Sequence, residues 1–316
     1  MFEHTKEKMD TSATLVYYED YIDILIRWAN QHDVDDFPRD RDTLKTIKEL
    51  VISDLSLYTI PIELFYLTQL EKLRFFNTKI EAIPKEINLL VNLKSFSIYY
   101  NENILKLPST LGELSKLEEL IIYKSSLDNL PKEIGKLSNL IVFELSYELS
   151  IKSLPTEFGN LKNLQELTIV RTNIETFPKE FKNLKKLTYV YFENNQIREF
   201  PSFLTDNKSL IKLVLSEDKI SSIPKDIKHL KYLKMLHLHG NLETLPNEIC
   251  HLEDLMSFNI WQFNPLKSLP KDMKKLISRG DLMKGSIVIE YDSSSVQQQN
   301  DLLKGFSVTL STTSNN

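Results

Sequence analysis

The stretch Leu130-Pro131-Lys132-Glu133-Ile134-Gly135-Lys136-Leu137-Ser138-Asn139-Leu140-Ile141-Val142-Phe143-Glu144-Leu145 decides how the whole chain is read. A leucine precedes a proline, and an acid stands two residues after it. An apolar residue and a leucine three further on follow, and the stretch closes as L-x-x-L-x-L over Leu140, Phe143 and Leu145. The proline recurs as Pro61, Pro84, Pro108, Pro131, Pro155, Pro178, Pro201, Pro224, Pro246 and Pro270, in steps of 23, 24, 23, 24, 23, 23, 23, 22 and 24 residues. Pro38 lies another 23 residues upstream and extends the period into a degenerate first unit. A period in the twenties marks a solenoid, in which each unit buries its apolar face only against its neighbours.

The same skeleton runs from Ile47/Leu50/Ile52 through Leu93/Phe96/Ile98, Leu117/Leu120/Ile122 and Leu187/Val190/Phe192 to Leu255/Phe258/Ile260, ten units in all. Acids follow the proline as Glu86, Glu133, Glu157, Glu180 and Glu248. On these residues the chain resembles leucine-rich-repeat proteins, specifically the short class with the signature L-P-x-E-I-x-x-L-x-x-L-x-x-L-x-L. That class occurs in bacterial intracellular and effector proteins and in eukaryotic proteins that bind Ras-like GTPases. The match covers residues 37–276. The resemblance implies an α/β solenoid, curved, with a parallel β-sheet on the concave face and short helical or 3-10 turns on the convex face.

Elementary geometry agrees. In L-x-L alternate residues point to opposite faces, so the leucines turn inward and the x residues outward. Leu-Pro-x-Glu then starts a brief helical turn, for which proline suits the first helical position and the carboxylate meets the positive end of the helix dipole. These glutamates are therefore structural. The strand-to-loop turn carries Thr78, Asn101, Ser125, Thr172, Asn195, Asp218 and Asn241, short polar side chains able to bond a neighbouring backbone. One-residue insertions displace Ile104 and Ile151, and a deletion puts Leu242 directly after Asn241.

Composition narrows the function classes. With 316 residues and 41% apolar content the chain can bury a large core as a one-dimensional stack. The 39 lysines and arginines against 44 acids give a net charge of −5 with no basic run, which excludes nucleic acid and anionic membrane as expected partners. Residues 1–13 are polar and charged without a signal-peptide core, and no apolar run reaches membrane-spanning length. The expected location is the cytoplasm of a bacterium, and the resemblance adds specialised secretion into a host cell. Cys250 is the single cysteine, so no intramolecular disulfide forms and the ends of the stack need packed caps. Tyr18, Tyr21, Ile22, Leu25, Trp28 and Ala29 recur at helical spacing and predict a capping helix within residues 1–36. Residues 277–292 are read as a C-terminal cap with a final strand at Ile287-Val288-Ile289. Residues 293–316 are read as a polar tail, with a possible isolated strand at residues 306–310.

Chemistry is scarce. The chain has no glycine-rich phosphate loop, Cys-x-x-Cys pair or Gly-x-Ser-x-Gly, no cofactor is implied, and the sequence argues against an enzyme. Cys250, in an outer turn, reads as a surface or semi-buried residue. His237 and His239 flank Leu238 and share a face, with Glu217 within conceivable reach. That pair supports an alternative reading as a small-ligand or metal receptor, weaker than a plain polar contact surface. Arg279-Gly280-Asp281 is read as incidental. The outward strand residues, by contrast, are Phe76, Tyr99, Tyr100, Tyr123, Tyr147, Tyr189, Tyr191, His237, His239 and Trp261, with Arg171 among their charged neighbours. Aromatic rings rimmed by charges are the composition of protein-binding surfaces, whereas the blander reading is a cross-strand ladder. The expected function is a non-enzymatic scaffold, a monomer, that binds another protein on its concave face.

Overall fold

Each L-x-x-L-x-L segment becomes one short strand, because leucines at alternate positions have a single buried side to face. The computed structural model describes residues 20–34, 36–53, 57–260, 269–273 and 287–289. Its strands are β1 (Glu49–Ser53), β2 (Lys72–Phe76), β3 (Ser95–Tyr99), β4 (Glu119–Tyr123), β5 (Val142–Ser146), β6 (Glu166–Val170), β7 (Tyr189–Glu193), β8 (Lys212–Asp218), β9 (Met235–Gly240), β10 (Ser257–Ile260) and β11 (Ile287–Ile289). They form one parallel sheet in chain order, and each pairs only with its neighbours in sequence. The register is constant: Leu73, Phe96, Leu120, Phe143, Leu167, Val190, Leu213 and Leu236 stand side by side, all buried.

Proline governs the opposite side. Pro131 is extended (φ −66°, ψ 141°), and its carbonyl accepts the Ile134 N–H at 3.1 Å to open the 3-10 turn Lys132–Lys136. Pro84 and Pro224 act alike before Lys85–Leu89 and Lys225–His229. Proline is thus the residue before the turn, one place earlier than the sequence predicts. Its fixed φ suits that position, and its carbonyl makes the first bond while no N–H is needed. Where Gly112, Gly135 and Gly159 occupy the fourth place after proline, turns close to contact. A Cβ on Gly135 would lie 2.2 Å from the Glu157 carbonyl oxygen. Cys250 holds the same place in its own turn and is 2% exposed, which corrects its reading as a surface or semi-buried residue.

Between sheet and turns runs an apolar core with an aromatic centre, in which Phe158 lies 4.9 Å from Phe143 and 5.1 Å from Phe181. Phe177 stacks on Phe192 at 4.9 Å. The period falters after Pro201. Asn207 stands where other turns carry leucine, is fully buried, and donates from Nδ2 to the Leu184 carbonyl at 2.7 Å. The turn there shortens to Ser202–Leu204 and leaves a convex cleft of about 680 Å³ beside Phe177 and Phe200.

The front end is closed by two helices, α1 (Tyr21–Gln31) and α2 (Arg41–Thr46). Asp20 caps α1 by accepting the Ile22 N–H at 3.1 Å, so the helix starts later than the periodicity predicts, and Tyr18 lies outside the described residues. Ile22, Leu25, Trp28 and Ala29 are buried. The Arg39 guanidinium donates to the carbonyls of Ala29, Val34 and Phe37, tying down the helix end. Arg41 pairs with Asp20 and Asp23 across the two helices. Helix α2, which the periodicity does not predict, carries the chain from this cap into β1. At the other end β11 pairs with β10, Phe258 opposite Ile287, and Met273 is buried. The tail of residues 293–316, the segment 306–310 and Arg279-Gly280-Asp281 lie outside the described residues.

Removing residues 1–36 strips α1 from the open end, and an uncapped repeat end is an apolar edge. The truncated protein is expected to aggregate or to lose its cooperative melting transition. A soluble variant that melts like the full chain would show that α1 is an appendage.

Candidate functional site

At or next to the end of each of the strands β2 to β8 a residue in the left-handed region reverses the chain. Asn77, Tyr100, Lys124, Tyr147, Arg171, Asn194 and Glu217 all have φ between 51° and 62°. The residue after each is buried and polar: Thr78, Asn101, Ser125, Glu148, Thr172, Asn195 and Asp218. Side chains of one repeat satisfy the backbone of the repeat before it. Thr172 N–H donates to Asn195 Oδ1 at 3.1 Å, and Asn195 N–H to Asp218 Oδ1 at 3.0 Å. Glu148, absent from the sequence expectation, fills the same place at 1% exposure. Its Oε1 accepts from Ser125 N–H and Oγ at 2.6 and 2.7 Å, and its Oε2 from Leu127 N–H at 3.0 Å. Burial pushes its carboxyl above the usual range, against those bonds. Asn241 is exposed instead, because the deletion before Leu242 puts Gly240 opposite Asp218.

The left-handed turn also shapes the aromatic surface. Phe76, Tyr99 and Tyr123 stand in one row of β2, β3 and β4, and Ser146 takes that place in β5. Tyr100, Tyr147 and Arg171 are not outward residues of the strand, as alternation suggests, but sit one residue beyond it. Positive φ swings their side chains over the concave face, so Tyr100 and Tyr147 approach Tyr123 from both sides at 5.1 and 5.0 Å. Phe76 lies 5.7 Å from Tyr100, and Tyr99 5.9 Å from Tyr123. Five rings from four repeats therefore form one patch, in which Phe76 and Tyr100 are 40% and 38% exposed. Hydrogen bonding to Tyr100, then burial, then bonding to Tyr147 hold the Tyr123 phenol well above its ordinary pKa. Cations cover the rim: Arg74 lies 5.4 Å from the Tyr99 ring, Lys124 5.4 Å from Tyr100, and Arg171 5.1 Å from Tyr147. The rings do make a ladder, in which Tyr99, Tyr123 and Tyr147 are half-buried and Phe76 and Tyr100 exposed.

Further along, Lys212 lies 4.7 Å from the Tyr189 ring, and the Tyr191 hydroxyl donates to Glu193. His237 Nε2 lies 3.0 Å from Asn259 Nδ2 and 3.2 Å from Ser257 Oγ, while His239 Nδ1 lies 3.2 Å from Ser216 Oγ. Burial, then Lys212, lower the His237 pKa. Glu217 accepts from Asn194 Nδ2 at 3.0 Å. Among the described residues no three His, Cys, Asp or Glu side chains converge as metal ligands. Trp261 lies outside the described residues. No described helix is long and apolar enough to cross a membrane.

A curved parallel sheet backed by 3-10 turns, one strand and one turn per period, defines a leucine-rich-repeat solenoid. No described protein family and no curated protein matches the chain. Solved structures do. A leucine-rich-repeat protein of Leptospira interrogans, LIC12759, superposes with a TM-score of 0.60 at 21% identity, over 90% of this chain and 98% of that one. An internalin of Listeria monocytogenes, InlF, gives 0.57 at 18% identity, over 96% and 100%. The Arabidopsis receptor kinase HAESA, solved with the peptide hormone IDA and the co-receptor SERK1, gives 0.61 at 18%, over 94% of this chain and 53% of that one. Likeness at these identities is likeness of fold.

Asp218 yields a test of the buried polar row. Asn101 and Asn195 each use their amide to donate to a strand carbonyl, Phe75 O at 3.1 Å and Ile169 O at 3.0 Å. Asp218 has an oxygen there instead, and its Oδ2 has no partner. Burial pushes the Asp218 carboxyl up to about 7 from 3.8. The folded state therefore holds a proton that the unfolded state releases above about pH 4, so this group lowers stability as pH rises from about 4 to 7. Asp218→Asn is expected to stabilise the protein by about 1–3 kcal/mol at pH 8 and by much less at pH 4. Denaturant titrations of both proteins across this range check it, and a pH-independent difference would show that Asp218 does not titrate there.

Proposed function

We propose that this chain is a non-enzymatic scaffold, of the short bacterial repeat class, that binds another protein on its concave face. The observation that carries the reading is the patch of Phe76, Tyr99, Tyr100, Tyr123 and Tyr147, five touching rings of which Phe76 and Tyr100 are exposed and the other three half-buried. Rigid amphipathic rings of this kind supply contact area at small entropic cost and recur as interface anchors. Arg171, Tyr189, Tyr191, His237 and His239 extend the surface along the same face, and Trp261 is included on its sequence position. The receptor HAESA, with which the chain shares its fold, is solved in complex with a peptide hormone; it supports a binding role and does not identify a partner.

The double variant Tyr99→Ala/Tyr123→Ala separates anchor from ladder. Lost ring pairs cost about 0.5–1.5 kcal/mol each, far below the about 2–5 kcal/mol for truncating an inward residue such as Leu145. The variant should stay folded with a modestly lower melting temperature, and lose about thirtyfold or more in affinity for the partner that the wild type captures from native lysate. Undiminished capture by the folded variant would move the functional surface elsewhere.

The setting proposed is a bacterial cytoplasm, on the resemblance of the repeats. Fractionation of the producing cells should find the intact protein inside. Its export to the medium would favour the secreted-effector reading instead.

A further inference from the structure

Row by row, the concave face carries its charge unevenly. Pairing sets Glu119 of β4 beside Val142 of β5, and Val142 beside Glu166 of β6. Glu144 stands two residues beyond Val142 on the same strand and face. The two outer carboxylates are therefore two strand spacings apart, about 10 Å at the backbone, with Glu144 between them. Glu119 accepts from Ser95 Oγ, and Glu144 accepts from Ser146 Oγ at 3.0 Å. Among the described residues none of the three carboxylates has an ion-pair partner.

The cations of this face are engaged elsewhere. Lys72 pairs with Glu49 at 2.8 Å, Lys124 with Glu102 at 3.1 Å, and Arg74 donates to Ser97 Oγ at 3.2 Å beside the Tyr99 ring. Arg171 and Lys212 lie over Tyr147 and Tyr189. They flank the three glutamates at a distance; of the cluster, Glu119 adds after Glu49 to the rise of the Lys72 ammonium pKa, but no described cation lies within ion-pair distance of the three. The field of the cluster reaches the rings on either side. Burial is the main cause that raises the phenol pKa of Tyr99 and Tyr189, and Glu144 with Glu119, or Glu166 with Glu144, adds to it.

Building on the docking role proposed above, we infer that the partner is an extended protein segment presenting a lysine or arginine side chain to the centre of β5. There it meets Glu119, Glu144 and Glu166, with tyrosines on both sides. Like charges on neighbouring strands repel in the free protein. A cation supplied from outside removes that repulsion, while acidic segments are rejected, so the cluster confers selectivity as well as attraction. The cations at Arg74 and Lys212 on either flank disfavour a continuous polybasic run. The fit is to one or two central basic residues with neutral or acidic neighbours.

A positional-scanning library of end-blocked octapeptides on beads, probed with fluorescently labelled full-length protein, tests this. Pools with lysine or arginine fixed at a central position should retain several-fold more protein than pools with aspartate or glutamate there. Raising sodium chloride from about 50 to about 500 mM should reduce that preference. Glu144→Gln/Glu166→Gln should abolish it while melting at or slightly above the wild-type temperature, since it removes like-charge repulsion; the single variant Glu166→Gln, at an exposed position, should halve it or more if the double variant folds poorly. Equal retention of acidic and basic pools, retention of none, or a basic preference that survives the substitutions would overturn the inference. If capture of the lysate partner still depends on Tyr99 and Tyr123 in that event, the docking face stands and only the cationic partner falls.

Discussion

One row of buried polar side chains, from Thr78 to Asp218, sets the geometry on which the rest of the structure depends. A strand that must turn back toward the convex side leaves its last N–H groups inside the protein, where an unpaired donor costs about 1–3 kcal/mol. Asn101, Glu148, Asn195 and Asp218 accept such donors from the repeat before, as Asn195 does from Thr172 and Glu148 from Ser125 and Leu127, while Thr78 and Thr172 accept a donor two residues on in their own repeat. The bonds form only if the residue just before takes a left-handed conformation, which a non-glycine residue adopts at a cost of about 1–2 kcal/mol. Seven such residues in one chain are maintained because the buried donors would otherwise have no partner.

The surface follows from that constraint. A left-handed residue at the strand end carries its side chain over the concave face, and here the residues are Tyr100, Lys124, Tyr147 and Arg171 in succession. They bring two additional rings and two cations onto a row that already holds Phe76, Tyr99 and Tyr123. A device that satisfies backbone donors therefore also assembles the aromatic patch. The convex side is under the opposite pressure. Where Gly112, Gly135 and Gly159 let turns touch it is tightly stacked, and where Asn207 interrupts the leucines it opens into a cleft.

The fold was legible because a repeat displays its physics many times over. Leucine spacing names the buried side, proline names the start of each turn, and a single misread unit is outvoted by its neighbours. The site was legible only in part. Strict alternation holds inside a strand and fails at the residue just beyond it, so Tyr100, Tyr147 and Arg171 were assigned to the right face by the wrong geometry. Glu148 escaped because its position holds short side chains in the other repeats, and a glutamate there reads as a solvated charge. Cys250 was misjudged because burial in a convex turn depends on how closely the next turn packs, which no periodicity records. Helix α2 is too short and too polar to carry an apolar stripe.

The distribution of rings along the stack bears on whether they serve the fold alone. If cross-strand pairing were their whole purpose, every repeat would profit equally from a ring at the last strand position. The phenyl and phenol rings at that position end after β4, and only the His239 imidazole returns to it among the described strands. Ser146 follows, buried, and then Val170, Glu193 and Ser216. The repeats without rings there pair in the same register and bury the same leucines, so the sheet does not need them. Beside the end of the ring row stand three carboxylates without ion-pair partners among the described residues, Glu119, Glu144 and Glu166 on β4, β5 and β6, and like charges on adjacent strands work against the sheet. The rings add modestly to a stack that does not need them and the carboxylates work against it, and together they give one stretch of the concave face an apolar grip next to a negative centre. A polarised surface of that kind is what recognition of a particular partner requires, and it is the part of this chain that repetition does not explain.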